Sequence, residues 1–171
     1  RHALQTPLRP SLRPPRPPLL APGRHRILHL YTLCLPVRSI AGPAAAAAPQ
    51  VLIKAMTERF EELRNVEVCH LHIEGDAPYG NPELRESFHV NSFFVGHNVR
   101  HTLAAGNGSY TPVFLSELPL LFKRNILPLD VALIHVSVPD KHGYCSLGVS
   151  IEATLAAIEN AKLVIAQVNP Q

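Results

Sequence analysis

Between residues 50 and 64 apolar side chains return every three or four positions. Leu52, Ala55, Met56, Phe60 and Leu63 take one face, and Glu58, Arg59, Glu61, Glu62 and Arg64 take the other. That spacing predicts an amphipathic helix. Pro49 suits a first helical position, where its missing N–H costs nothing, and Asn65 is expected to stop the helix. The pattern then changes period. VEVCHLHI, residues 66–73, is β-branched and short, which predicts a strand closed by Glu74-Gly75-Asp76 and Pro78.

The alternation continues downstream. VNSFFV (90–95) predicts a second strand. Val99 and Leu103 lie four apart, and Gly106 is placed as a helix C-cap. Ser116 and Pro119 open a short helix whose expected apolar face is Leu120, Leu121 and Phe122. DVALIHVSV (130–138) is a strand, followed by the loop PDKHGYCSLG. Ile151, Leu155 and Ile158 mark another helix, and KLVIAQVN (162–169) another buried strand. Strand and helix alternating through short connections predict an α/β fold with a mainly parallel sheet and flanking helices. Ligands of such sheets gather at the carboxyl ends of the strands. Three places follow: the turn at 106–112, the loop at 139–148, and Gln167–Asn169.

Composition divides the chain in two. The 171 residues carry sixteen basic and thirteen acidic side chains, a net +3, but the average hides the division. Residues 1–49 hold seven arginines, ten of the seventeen prolines and no acid; residues 50–171 hold nine basic and thirteen acidic residues. PLRPSLRPPRPPLLAPG (7–23) has too much proline for a helix or a central strand, so polyproline II or disorder is expected over 1–45. A non-native extension, a mitochondrial presequence, a proline-rich docking ligand and an arginine-mediated nucleic-acid contact remain open for it; prolines oppose the presequence's helix, and no aromatic interleaving supports nucleic acid. The second unit is taken as 46–171. No 18-residue apolar run exists, so no membrane span is expected. Cys34, Cys69 and Cys145 are too sparse for a disulfide scaffold and are read as small buried hydrophobes.

The candidate chemistry is thin. Gly106-Asn107-Gly108-Ser109-Tyr110-Thr111-Pro112 can aim backbone N–H groups at an anion or let a ligand approach the chain, but Asn-Gly is also the commonest tight turn. The Asn107-Gly108-Ser109 sequon is read as accidental. His142 and Cys145 sit three apart on one loop, a poor arrangement for a nucleophile and its base. His70 and His72 alternate on the strand, yet no third ligand stands at a metal-binding spacing, so no metal is expected.

Two long stretches add more. APQVLIKAMTERFEELRNVEVCHLHIEGDAPY (48–79), and NSFFVGHNVRHTLAAGNGSYTPVFLSELPLLF with ILPLDVALIHVSVPDKHGYCSLGVSIEATLAAIENAKLVIAQVNPQ (91–171), resemble the acetyl-CoA hydrolase/transferase family, particularly its 4-hydroxybutyrate CoA-transferase branch. The resemblance implies a class I CoA-transferase-like fold (NagB/RpiA/CoA-transferase-like) of two similar α/β halves, with this chain as most of the N-terminal half. It implies ping-pong transfer of CoA from an acyl-CoA such as acetyl-CoA to acetate, butyrate, succinate or 4-hydroxybutyrate. The intermediate is a glutamyl-CoA whose glutamate lies in the other half, so no catalytic residue is expected in this chain. By the same resemblance Gly106, Asn107, Gly108, Tyr110 and Pro112 line the CoA and acyl pocket, with Asp140, His142, Gly143 and Asn169 as further candidates. Coenzyme A is a substrate and no bound cofactor is implied. The expected partners are acyl-CoA and short-chain carboxylates, in a homo-oligomer when full length, without nucleic acid or membrane, in the cytoplasm or, in a eukaryote, the mitochondrion. A non-catalytic binding module with a proline-rich docking arm is the alternative. The likeness lapses upstream of about residue 41, where family members carry a first strand and a glycine-rich turn; AGPAAAAAPQ stands there instead, so the resemblance does not establish that strand or that turn.

Overall fold

The computed structural model describes residues 39–42, 47–149 and 151–170. Cys34, most of the arginine/proline segment and part of the alanine run lie outside these residues. The described chain orders as β1 (Ser39–Ala41), α1 (Gln50–Glu58), β2 (Val66–His70), β3 (Phe88–Ser92), α2 (Arg100–Ala104), β4 (Gly108–Tyr110), α3 (Leu118–Lys123), β5 (Val131–Ser137), α4 (Thr154–Asn160) and β6 (Leu163–Asn169). Single 3₁₀ turns at Pro78–Gly80 and Pro82–Leu84 lead into β3.

All six strands run parallel in one sheet of order β4-β3-β2-β1-β5-β6. Alternate side chains enter two cores. Val66, Val68, Val131 and Leu133 face α1 through Ile53 and Met56. Cys69, Ala132, Ile134 and Val136 face α3 and α4 through Leu118, Phe122, Ala156 and Ala157. Burial on both faces is why the central strands are apolar almost throughout.

Several expectations change. The first strand is present: β1 occupies the middle of the sheet, with Ile40 paired to Val68 on one side and Val131 on the other. Asp130 fixes its start, since Ser39 donates its backbone N–H to Asp130 Oδ2 at 3.3 Å and Asp130 N–H donates to Ser39 Oγ at 3.2 Å. α1 ends at Glu58, six residues earlier than its periodicity implies; tighter turns follow, with Arg59 bound to Glu62, and Asn65 turns the chain at φ 54°. β2 stops at His70, so His72 is no longer part of the strand. The glycine turn at 108–110 is a strand, β4, paired to the edge of β3.

Helix faces differ too. α3 buries Leu118 and Phe122 while Leu120 is exposed. α4 buries Thr154, Ala156 and Ala157 and packs Ile158 partly against the same core, as its spacing predicts, whereas Leu155, and Ile151 just before the helix, are exposed. β6 is an edge strand rather than a buried one, with Val164 and Val168 exposed. Cys145 is exposed; only Cys69 among the described cysteines is buried.

Candidate functional site

β1 sends the chain through α1 to β2 on one side, while β5 flanks it on the other, so the winding direction of the sheet reverses between β1 and β5. At such a switch point the loops leaving the carboxyl ends diverge and open a crevice. β1 pairs with β5 only through Ala132, whereas β5 and β6 stay paired to Ser137 and Asn169. The β5–β6 pair therefore stands above β1 by about 16 Å, at roughly 3.3 Å per residue. Two clefts meet under this step. One is an open recess of about 380 Å³ with an enclosed part of only about 20 Å³, lined by Gly42, Cys69, His70, Phe93, Phe122 and Glu152, among others. The other, a recess of about 300 Å³ with an enclosed part of about 20 Å³, lies beneath α1 between Gly42, Met56, His70, Ile73 and Tyr79. Gly42 and His70 line both.

His70 is the last residue of β2 and only 2% exposed. Its ring lies 5.9 Å from that of Tyr79, and neither ring nitrogen has a hydrogen-bond partner among the described residues. Burial pushes its pKa down from 6.5 to about 4, with a smaller push from His72, so the ring is neutral at physiological pH. Burial, and then the neighbouring Glu67 carboxylate, push the Cys69 thiol well up; it is a protonated, unreactive wall atom. Glu152 is exposed at the mouth of the larger cleft.

The residues singled out from sequence separate into two groups. Tyr110 ends β4 opposite Ser92, Pro112 follows it, and Asn169 ends β6 opposite Ser137. Asp140, His142 and Gly143 lie on the loop leaving β5. These six stand at the carboxyl edge. Gly106 and Asn107 do not: they enter β4, with the Asn107 carbonyl accepting from Val90 N–H at 3.4 Å in the middle of β3. Gly106 (φ 76°) is the left-handed residue closing α2, as its position predicts. Gly108 has no positive φ. An added Cβ there would stand 2.9 Å from Leu103 Cδ1 and 3.1 Å from the Val90 carbonyl oxygen, so a packing constraint keeps it small.

The loop after β5 is built around one carboxylate. Asp140 Oδ1 accepts from His142 N–H at 2.8 Å and Tyr144 N–H at 2.9 Å. Gly143 sits at φ 84°, and Ser137 closes the base: its N–H donates to the Ser146 carbonyl at 3.0 Å and its Oγ accepts from Ser146 N–H at 2.9 Å. Asp140 thus shapes the loop, and the exposed His142 and Tyr144 are what it presents. Gln167 has a structural task as well, accepting from Val51 N–H at 3.0 Å in the first turn of α1. Among the described residues no three His, Cys, Asp or Glu side chains are grouped to hold a metal ion, and no helix is long and apolar enough to cross a membrane.

Sequence reasoning passed over Gly42, Glu152 and the role of His70. The signal for His70 was one imidazole at the carboxyl end of a strand whose only other polar side chain is Glu67, but its neighbours come from other segments.

A parallel α/β half-domain with its clefts at the switch point defines the class of protein. Residues 37–171 match the acetyl-CoA hydrolase/transferase N-terminal domain, and the chain belongs to that family. It is 47% identical over 128 residues to a succinyl-CoA:acetate/propanoyl-CoA:succinate CoA transferase of Fasciola hepatica, covering 74% of this chain and 26% of that one. It is 43% identical over 125 residues to a 4-hydroxybutyrate coenzyme A transferase of Clostridium kluyveri, covering 73% and 29%. The crystal structure of a 4-hydroxybutyrate CoA-transferase from Porphyromonas gingivalis superposes with a TM-score of 0.64 at 38% identity, over 80% of this chain and 30% of that one. The chain therefore spans between a quarter and a third of the length of these relatives.

Proposed function

We propose that the protein transfers CoA between an acyl-CoA and a short carboxylate, with this chain supplying part of the CoA and acyl pocket. The observation that carries the reading is the coincidence of the switch-point clefts with a chain 47% and 43% identical to two CoA transferases. The acids in question are acetate, butyrate, succinate or 4-hydroxybutyrate. The carboxylate of a glutamate outside these 171 residues takes the CoA thiolate as a thioester, releasing the donor acyl group as its carboxylate. The acceptor carboxylate then reverses the exchange and leaves as acyl-CoA. Two easier steps replace one hard one. Tyr110, Pro112, Asp140, His142, Gly143 and Asn169 form the carboxyl-edge rim facing CoA. Gly106, Asn107 and Gly108 act on it indirectly, by setting where β4 begins. The active protein is a homo-oligomer.

The complete natural protein is assayed for transfer from acetyl-CoA and succinyl-CoA to each acid. Transfer to at least one supports the reading, together with a covalent CoA adduct on a glutamate found by mass spectrometry. Residues 1–171 alone should be inactive; measurable transfer by them would overturn the placement of the glutamate. A complete protein that binds CoA without turnover would instead favour a binding module.

A further inference from the structure

A neutral imidazole always carries one N–H donor and one lone-pair acceptor. Burying either without a partner costs about 1–3 kcal/mol, so a fully buried histidine with both unsatisfied calls for an occupant of the site. His70 is in that position. The walls around it are almost all apolar: Ala41, Phe93, Phe122 and Leu133 on one side, Ile53, Met56 and Ile73 on the other. Its nearest polar neighbours give it nothing. Cys69 points to the opposite core, and no hydrogen bond joins His70 to Tyr79 among the described residues.

We propose that His70 is a substrate-binding residue that donates its ring N–H to the carboxyl-level oxygen of a short acyl group lodged in the clefts beside Gly42. Mostly apolar walls, with the His70 ring between the two clefts and Thr154 and Tyr79 as further lining hydroxyls, fit the C=O end of a small aliphatic chain: each enclosed part, about 20 Å³, takes the oxygen while the rest of the chain lies in the open recess. Because the ring is uncharged, it favours a polarised carbonyl without adding a buried cation. Among the described residues nothing lies within 4 Å of where a Gly42 Cβ would stand, so none of them fills the space beside it. The oxygen belongs either to the thioester of the donor or to the carboxylate of the acceptor acid, two sources the experiment separates. The inference deepens the proposed CoA transfer and rests on it for the identity of the acyl group.

The test uses the complete protein with His70→Leu, which deletes both polar atoms, and His70→Gln, which restores an N–H donor. His70→Leu should melt at a higher temperature than the wild type, because two unsatisfied polar atoms have gone, while kcat/KM for acyl-CoA falls at least tenfold. His70→Gln should recover a clear part of that loss. A folded His70→Leu protein with kcat/KM within twofold of wild type overturns the proposal. Should the leucine variant fail to fold, ¹⁵N-histidine spectra decide: the resonances absent from His70→Gln identify the ring, and they should shift when acetyl-CoA or acetate is added. A shift with acetyl-CoA alone assigns the thioester oxygen, a shift with acetate alone assigns the acceptor, and no shift with either overturns the inference. The spectra need no turnover, so a wild type inactive in transfer yet shifting His70 would sink the proposed function and leave this one standing.

Discussion

His70 and Gly108 show how differently a single position can be constrained. Gly106 could be read as a helix cap because its φ of 76° is a local demand. Gly108 was marked by the same run of residues, but its constraint comes from Leu103 and from the Val90 carbonyl on the neighbouring strand. Gly108→Val should therefore destabilise the fold by roughly 1–3 kcal/mol, the usual cost of overpacking, as read by urea unfolding. An unchanged midpoint would mean that β4 shifts away freely. His70 predicts a pH dependence. Unfolded, the imidazole takes a proton near its ordinary 6.5; folded, only near 4. Between those values the unfolded state holds more protons, so the His70 contribution is complete above pH 6.5 and is lost as pH falls toward 4. Relative to His70→Leu, the wild type should lose about 3 kcal/mol across that window. Stability curves that stay parallel from pH 7 to 4 would contradict the neutral buried ring.

Elements long enough to show a period were legible: β2, β5 and β6 lie where their patterns put them, to within a few residues at each end, and α1 starts where expected but stops six residues early. β1 and β4 were not, since each has three residues and owes its existence to neighbours already in the sheet. The faces of α3 and α4 were read in part: Leu121, Phe122 and Ile158 meet the core as expected, while Leu120, Ile151 and Leu155 do not. Hydrophobicity alone favours Ile151 and Leu155, but the face that α4 turns to the core carries Ala156 and Ala157 beside Ile158. Long-range ties also set where elements begin. Gln167 on β6 accepts from Val51 N–H at the start of α1, 116 positions earlier. Gln167→Ala should cost about 0.5–1 kcal/mol, on the scale of a lost helix cap at an exposed site, in a denaturant titration. No change would show that water replaces the amide. Asp140→Ala should loosen the loop after β5, giving faster amide exchange at His142 and Tyr144 while the strands keep their protection.

For the molecule as a whole, the strand order decides both stability and function. β1 lies between β2 and β5, so the two flanks of the sheet meet through it. A chain shortened to 37–171 should unfold at the wild-type midpoint, whereas 43–171 should lose cooperative unfolding, because Ile40 and Ala41 and the backbone bonds of β1 go with it. Calorimetry of the two fragments distinguishes them, and a cooperative transition in 43–171 would show that β2 and β5 can close the gap. The amino-acid sequence by itself determined the alternating α/β texture, the parallel sheet, the capping glycine at 106 and the family resemblance over 48–79 and 91–171. Each of these is written in local period or in contiguous residues. Tertiary structure alone decided that β1 is central, that Gly106 and Asn107 stand away from the carboxyl edge, and that His70 is buried without a hydrogen-bond partner among the described residues. Those facts depend on which segments become neighbours, and burial and hydrogen bonding across the sheet are sums over residues that the chain itself keeps far apart.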